Sequence, residues 1–284
     1  MAAGFVDIDW CGRPVRIEHE WIAADRQSRP LLVFLHEGLG SRSMWRDFPR
    51  ALCAAADCRG LVYSRPGYGR STPRASHERW GVDFMHRQAH EVLPALLRAL
   101  GVGEAPWLVG HSDGASIALL YAARFPQAVS GLVVLAPHLF VEDVAVASIE
   151  RTREVFRGGD LPQRLARHHD DVDSAFWGWN HIWLDPAFRA WNIEAELGAI
   201  ECPVLAIQGI DDEYGTLEQI RRIQHHLPAT RLLELPDCGH SAHRDQPARV
   251  ISACVEFIAA PPPRDQPAGR GAAERPDFRR PAIP

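Results

Sequence analysis

The chain has 284 residues, 46% of them hydrophobic, enough for a sizeable core in a soluble globular protein. Its 31 basic residues against 36 acidic ones give a formal charge of -5, and no basic stretch is interleaved with aromatics, which argues against a nucleic-acid partner. No apolar run approaches the roughly 20 residues of a membrane span, so no membrane partner is expected.

The opening residues, MAAGFVDIDWCGRPVRIEHEW, carry early acidic groups and no basic start before an apolar run. No signal or transit peptide is therefore expected, and the cytoplasm is the default location. The six cysteines (Cys11, Cys53, Cys58, Cys202, Cys238, Cys254) are scattered, with neither a CxxC pair nor zinc-finger spacing. They read as small buried hydrophobes, and Cys238 stands two residues before a candidate site histidine, His240.

Two antiparallel strands are predicted at roughly Phe5 to Asp9 and Val15 to Trp21. The apolar run LLVFLH at 31 to 36 reads as a buried strand, followed by a helix from about Ser43 to Ala56, a strand GLVYS at 60 to 64 and a loop RPGYGRSTPR. A long helical pattern runs from about Trp80 to Leu100, with Pro94 set to kink it. PWLVG, GLVVLAP at 131 to 137, PVLAIQG at 203 to 209 and TRLLELP at 230 to 236 read as further strands, with helices at Ala115 to Arg124 and around Leu217 to His226. Short, continuously apolar strands alternating with helices predict an α/β fold with a mostly parallel, doubly wound sheet covered on both faces.

Residues 138–198 break the alternation and read as wholly helical, a cap or lid inserted after the sixth strand. The expected division is a core of residues 1–137 and 199–260, a helical cap at 138–198, and a Pro/Gly/Arg-rich tail at 261–284 that lacks the apolar surface to order itself.

Gly110-His111-Ser112-Asp113-Gly114 matches G-x-S-x-G between a strand-like PWLV and a helix-like ASIALLYAARF. A serine on so sharp a strand-to-helix turn is exposed at the sheet's carboxyl edge, and the glycines supply the room. A serine nucleophile needs a base, and the base needs a carboxylate to hold its tautomer. His240 follows the strand TRLLELP, with His243 three residues on as its rival; Asp211 and Asp212 follow PVLAIQG, and only one of the two can point into a site.

These segments resemble the α/β-hydrolase superfamily, whose order is serine, acid, histidine. The resemblance covers about residues 5 to 260 and matches Gly209-Ile210-Asp211-Asp212 to a G-x-x-D strand end. It implies a catalytic triad of Ser112, Asp212 and His240. His36-Glu37-Gly38-Leu39-Gly40-Ser41 resembles the family's H-G-x-x-G segment, which implies an oxyanion hole from the Gly38 and Asp113 amides, although Glu37 replaces the usual glycine. His36, His111, Arg65 and Arg70 are then expected to brace loops.

His138, directly after GLVVLAP, is expected close to the site, as substrate contact or hinge. Within the aromatic group Phe176, Trp177, Trp179, Trp183 and Trp191, the pocket candidates are Trp177 and Trp179. His168-His169-Asp170-Asp171-Val172-Asp173 reads as a polar helix surface, because adjacent helical residues diverge by about 100° and cannot converge on one ion. No metal and no cofactor is expected; the nucleotide-binding glycine motifs are missing.

The reading is a serine hydrolase acting on a small-molecule carboxylic ester through an acyl-enzyme. The same triad serves carbon–carbon bond hydrolysis of a ring-cleavage product, thioesterase and lactonase chemistry. A small-ligand receptor and a cofactor-free oxygenase are the rivals from other classes. The sequence assigns no oligomeric state.

Overall fold

A computed structural model describes residues 4–260; the expected tail at 261–284 lies outside the described residues. Eight strands form one sheet in the order β1-β2-β4-β3-β5-β6-β7-β8. The strands are β1 (Gly4–Trp10), β2 (Arg13–Ile22), β3 (Leu31–Leu35), β4 (Arg59–Tyr63), β5 (Trp107–His111), β6 (Gly131–Leu135), β7 (Val204–Gly209) and β8 (Arg231–Leu235). β1 pairs antiparallel with β2, and β2 antiparallel with β4; every later pairing is parallel.

The apolar runs have a simple cause. All five residues of β3 and of β6 are buried. Leu31, Val33 and Leu35 face one core cluster, while Leu32 and Phe34 face the other. With period-2 alternation, only an all-apolar strand can cover both faces.

The helices are α1 (Phe48–Ala55), α2 (Phe84–Arg87), α3 (Leu93–Ala99), α4 (Asp113–Arg124), α5 (Asp143–Gly158), α6 (Leu161–Leu165), α7 (Val172–Trp183), α8 (Glu218–His226), α9 (Ala242–Asp245) and α10 (Pro247–Ala259). α1 and α10 lie on one face of the sheet; α4 and the α2–α3 segment cover the other. No helix among the described residues is long and apolar enough to cross a membrane.

Two predicted helices differ in detail. The one expected from Trp80 begins at Phe84, and a wide turn over Gln88–Val92 joins α2 to α3. Pro94 offers no N–H to the carbonyl of residue 90 and its ring crowds that oxygen, so the backbone widens there and continues without breaking. The one expected from Ser43 is split: a 3-10 turn at Arg42–Trp45 ends at Arg46 (φ +53°), and α1 starts afresh with Pro49 in its first turn.

Between β6 and β7 the chain carries α5, α6, α7 and two 3-10 turns, Pro186–Ala190 and Glu194–Ala199. The stretch is not wholly helical. One antiparallel bridge, Phe140 with Asn192, joins its two ends near the sheet.

Candidate active site

β5 runs into α4 through a single residue, Ser112, held at φ +52° and ψ -121°. Such a backbone is strained for any residue with a Cβ, and it lifts the hydroxyl off the sheet. The neighbouring glycines are required by close approach: a Cβ on Gly110 would stand 2.5 Å from Ala115 Cα, and one on Gly114 would collide with the Leu35 carbonyl of β3. The Ser112 amide donates to Leu135 O at 2.9 Å, which ties the turn to β6.

The loops after β7 and β8 meet beside it. His240 Nδ1 donates to both carboxylate oxygens of Asp212, at 2.8 and 2.9 Å. Asp212 also accepts from the Tyr214 and Gly215 amides and from Gln208 Nε2. Asp211 is exposed, and its amide is spent on Cys238 O. Burial opposes ionisation of Asp212, yet the neighbouring His240 and the donors around it hold its carboxyl below the usual range. Burial likewise works against the charged form of His240, but the Asp212 charge and hydrogen bond outweigh it and raise the imidazole above 6.5. The rival His243 is buried away from the serine, against Trp45 and Phe48.

Ser112 Oγ makes its side-chain hydrogen bond to His138 Nε2, at 3.4 Å. No hydrogen bond joins it to His240 among the described residues. The rings of His138 and His240 lie 5.8 Å apart, so the serine stands beside two imidazoles.

A cavity of about 130 Å³ opens over these groups, walled by Gly38, Leu39, Ile149, Trp179, Trp183 and Tyr214. Wider clefts exist on the surface, including one of about 340 Å³ beside Arg74 and His181, but the cavity over Ser112 is where the hydroxyl and the imidazoles of His138 and His240 converge. Gly38 lies under the α7 indole: a Cβ there would collide with Trp179. Neither the Gly38 nor the Asp113 amide donates to another group among the described residues.

Trp177, expected in the pocket, is elsewhere. It lines the 340 Å³ surface cleft, stacked on His181 at 5.1 Å. Residues two apart on a helix point about 200° apart, so Trp177 and Trp179 of α7 cannot share a wall. The partner of Trp179 is Trp183, four residues on, which donates Nε1–H to Asp113 Oδ1 at 3.1 Å and meets His138 edge-on at 4.8 Å. That i, i+4 spacing was visible in the sequence. Tyr214, 4.9 Å from the His240 ring, carried no such signal.

The segment from His168 is not a helix surface either. It joins α6 to α7, where Asp171 caps the Ser174 amide at 2.7 Å. His169 is buried: its Nδ1 accepts from the Gly69 amide at 2.9 Å and its Nε2 donates to Leu39 O at 3.0 Å. One neutral imidazole thus pins the insertion to the loops after β3 and β4.

Glu37, in the place of a glycine, holds its largely buried side chain between Arg244 (3.2 Å) and His111 (3.5 Å) at the rim of the cavity over Ser112, while its carbonyl accepts from His36 Nδ1 and Arg65 Nη2, each at 2.8 Å. His36 Nε2 accepts from the Arg65 amide at 2.9 Å, and His111 Nε2 donates to His240 O at 2.9 Å. These histidines brace the loops. Arg70, by contrast, is exposed, 3.9 Å from Asp170. Burial of Cys238 pushes its thiol up to about 11, leaving it protonated.

Arg65 is fully buried, 3.5 Å from the equally buried Asp113. Burial raises the Asp113 carboxyl above its ordinary value in spite of Arg65 and Trp183. Arg65→Met should lower stability by about 3–5 kcal/mol, because it strands a buried carboxylate. Arg65 pulls the Asp113 carboxyl down against burial, so without it the folded-state value rises further and the folded variant binds more protons than the folded wild type; the loss should therefore grow as pH rises. Urea denaturation at two pH values measures both; a loss below about 1 kcal/mol, the worth of an exposed pair, would refute the claim.

A sequence model of the α/β hydrolase fold matches residues 30–176, more than half of the 284. The chain belongs to the α/β-hydrolase fold family. The sn-1-specific diacylglycerol lipase ABHD11 of Danio rerio is 25% identical over 277 residues, spanning 86% of this chain and 83% of its own length. The 2-succinyl-6-hydroxy-2,4-cyclohexadiene-1-carboxylate synthase of Klebsiella pneumoniae is 28% identical over 252 residues, spanning 81% and 94%. Among solved structures, a carboxylesterase of Nitrososphaera gargenis superposes with a TM-score of 0.71 at 20% identity, over 89% of this hydrolase-fold chain and 97% of its own.

Proposed function

We propose that this chain is a serine hydrolase that cleaves a small-molecule carboxylic ester or related acyl bond through an acyl-enzyme on Ser112. The observation that carries the reading is the two-oxygen grip of Asp212 on His240 Nδ1, at 2.8 and 2.9 Å, across one cavity from a serine on a strained turn. A histidine so held has its second nitrogen free to take a proton.

In this reading Ser112 Oγ attacks the acyl carbon while His240 Nε2 removes its proton, and the Gly38 and Asp113 amides hold the oxyanion. The leaving group departs with the proton from His240. Water then attacks the acyl-enzyme by the same route, and Oγ leaves. Residues 138–198 act as a lid over a core of 1–137 and 199–260, with His138, Trp179 and Trp183 forming the pocket wall. A cavity of about 130 Å³ favours a short acyl group over a polymer.

A fluorophosphonate probe tests the reading: the folded protein should be labelled on the peptide that contains Ser112. Labelling on another residue, or none, would remove it. A panel of p-nitrophenyl esters, acyl-CoAs and vinylogous diketones then sorts the bond cleaved.

A further inference from the structure

His138 is held more firmly than a pocket wall needs. Its amide donates to Ser116 Oγ at 2.9 Å and its carbonyl accepts from the same hydroxyl at 2.7 Å, so one α4 side chain fixes both ends of the residue. The next amide, Leu139, donates to Gln219 at 2.7 Å. The ring is buried, edge-on to Trp183, with Nε2 3.4 Å from Ser112 Oγ. Its Nδ1 is buried with no partner among the described residues.

Burial, then the neighbouring His240 and His111, push this imidazole down to about 3 against the pull of Asp212, so it carries one ring proton at neutral pH. Placed on Nδ1, that proton would be a buried N–H without an acceptor, the rarest kind of unpaired group. Placed on Nε2, it leaves only a lone pair unpaired and points at an oxygen able to accept. The second tautomer is the better satisfied.

We propose that His138 is a catalytic residue that donates its Nε2–H to Ser112 Oγ and stabilises that oxygen as it leaves the acyl-enzyme. The inference rests on the acyl-enzyme reading above. When the second tetrahedral intermediate collapses, the bond between the acyl carbon and Oγ breaks and its electron pair stays on Oγ. His240 returns to Oγ the proton it took from water, and His138 keeps its own. An ester oxygen is a poor acceptor and a departing alkoxide a strong one, so the hydrogen bond strengthens on the way to the transition state and speeds that step. In acylation the same bond makes Oγ both easier to deprotonate and a weaker nucleophile, and the two effects offset.

The test compares His138→Leu with His138→Gln, whose amide N–H reaches the position of Nε2, using stopped-flow hydrolysis of p-nitrophenyl acetate and intact-mass detection of the acyl-enzyme. The leucine variant should deacylate about tenfold to a hundredfold more slowly, the worth of one hydrogen bond to a charged group. Its kcat and KM should fall together, kcat/KM should hardly change, and the acyl-enzyme should accumulate. The glutamine variant should recover most of the deacylation rate. Should the leucine variant not fold, His138→Met replaces it, with no N–H in a flexible apolar chain. Unchanged deacylation without the N–H donor, an equal fall in kcat/KM, or no recovery with glutamine would overturn the proposal. If the wild-type protein shows neither a burst nor a labelled Ser112, it is the acyl-enzyme reading that fails.

Discussion

Ser112→Ala should lower kcat/KM for a short-chain p-nitrophenyl ester about a million-fold, to the level that binding and oxyanion stabilisation alone sustain. The loss is large because no group nearby can replace the nucleophile. Ser116 Oγ is committed to His138 on both sides, and Ser241 follows His240 on the far loop with no strained backbone. The fold should survive. Alanine meets the same backbone demand as serine at φ +52°, and the amide bond to Leu135 O is untouched. The one side-chain bond lost is the 3.4 Å contact with His138, so stability should change by about 1 kcal/mol at most. Retention of more than about 1% of the activity, far above the residue expected, would show that another group attacks.

Asp212→Asn should cost about 10⁴ in kcat, and Asp211→Asn almost nothing. Asp212 accepts five hydrogen bonds, two of them from His240 Nδ1. An amide in its place must turn an N–H toward one of those donors, and the imidazole then takes the wrong tautomer to receive the serine proton. Asp211 points to solvent. A larger loss from Asp211→Asn than from Asp212→Asn would reverse the assignment.

The pH profile supplies an independent reading of the same pair. As the proposed base, His240 can take a proton only when neutral, and Asp212 raises it above 6.5 in spite of burial. In the wild-type enzyme kcat/KM should therefore fall, as pH is lowered, through a midpoint above 6.5. In Asp212→Asn the raising charge is gone and the desolvation remains, so the midpoint of the residual activity should move down. His138, near 3, does not titrate in this window.

Much of the fold could be read from the chain because its signals are local. The buried strands are short apolar runs bounded by turn residues, and a parallel sheet is the arrangement that buries both faces of such strands. The Ser112 turn could be read for the same reason: its glycines answer a crowding between residues four apart in sequence and a strand packed against them. Helix boundaries were less legible where a proline changed the backbone without ending the helix, as at Pro94.

The site was legible only as far as each residue sat at a strand end. Loops at the carboxyl ends of neighbouring parallel strands must converge, which is why Ser112, Asp212 and His240 could be nominated together. Asp212 and His240 were preferred to Asp211 and His243 on the resemblance alone; which way each loop turns follows from contacts with distant chain, the Asp211 amide being drawn to Cys238 O and His243 into a core with Trp45. Trp177 and Trp179 were separable by helical phase, an argument the sequence permitted, since side chains about 200° apart cannot wall one cavity.

Sequence alone thus determined the α/β architecture and the turn that carries Ser112, because apolar periodicity and steric demands on glycine act over a few residues; the order of the candidate triad came from the resemblance to the α/β-hydrolase superfamily. Only the tertiary structure decided that a buried Arg65 faces Asp113, that His169 fastens the insertion to the Gly38 loop, and that His138 reaches Ser112. Those contacts join residues 26 to 130 positions apart. They depend on the packing of whole elements, which no local pattern encodes.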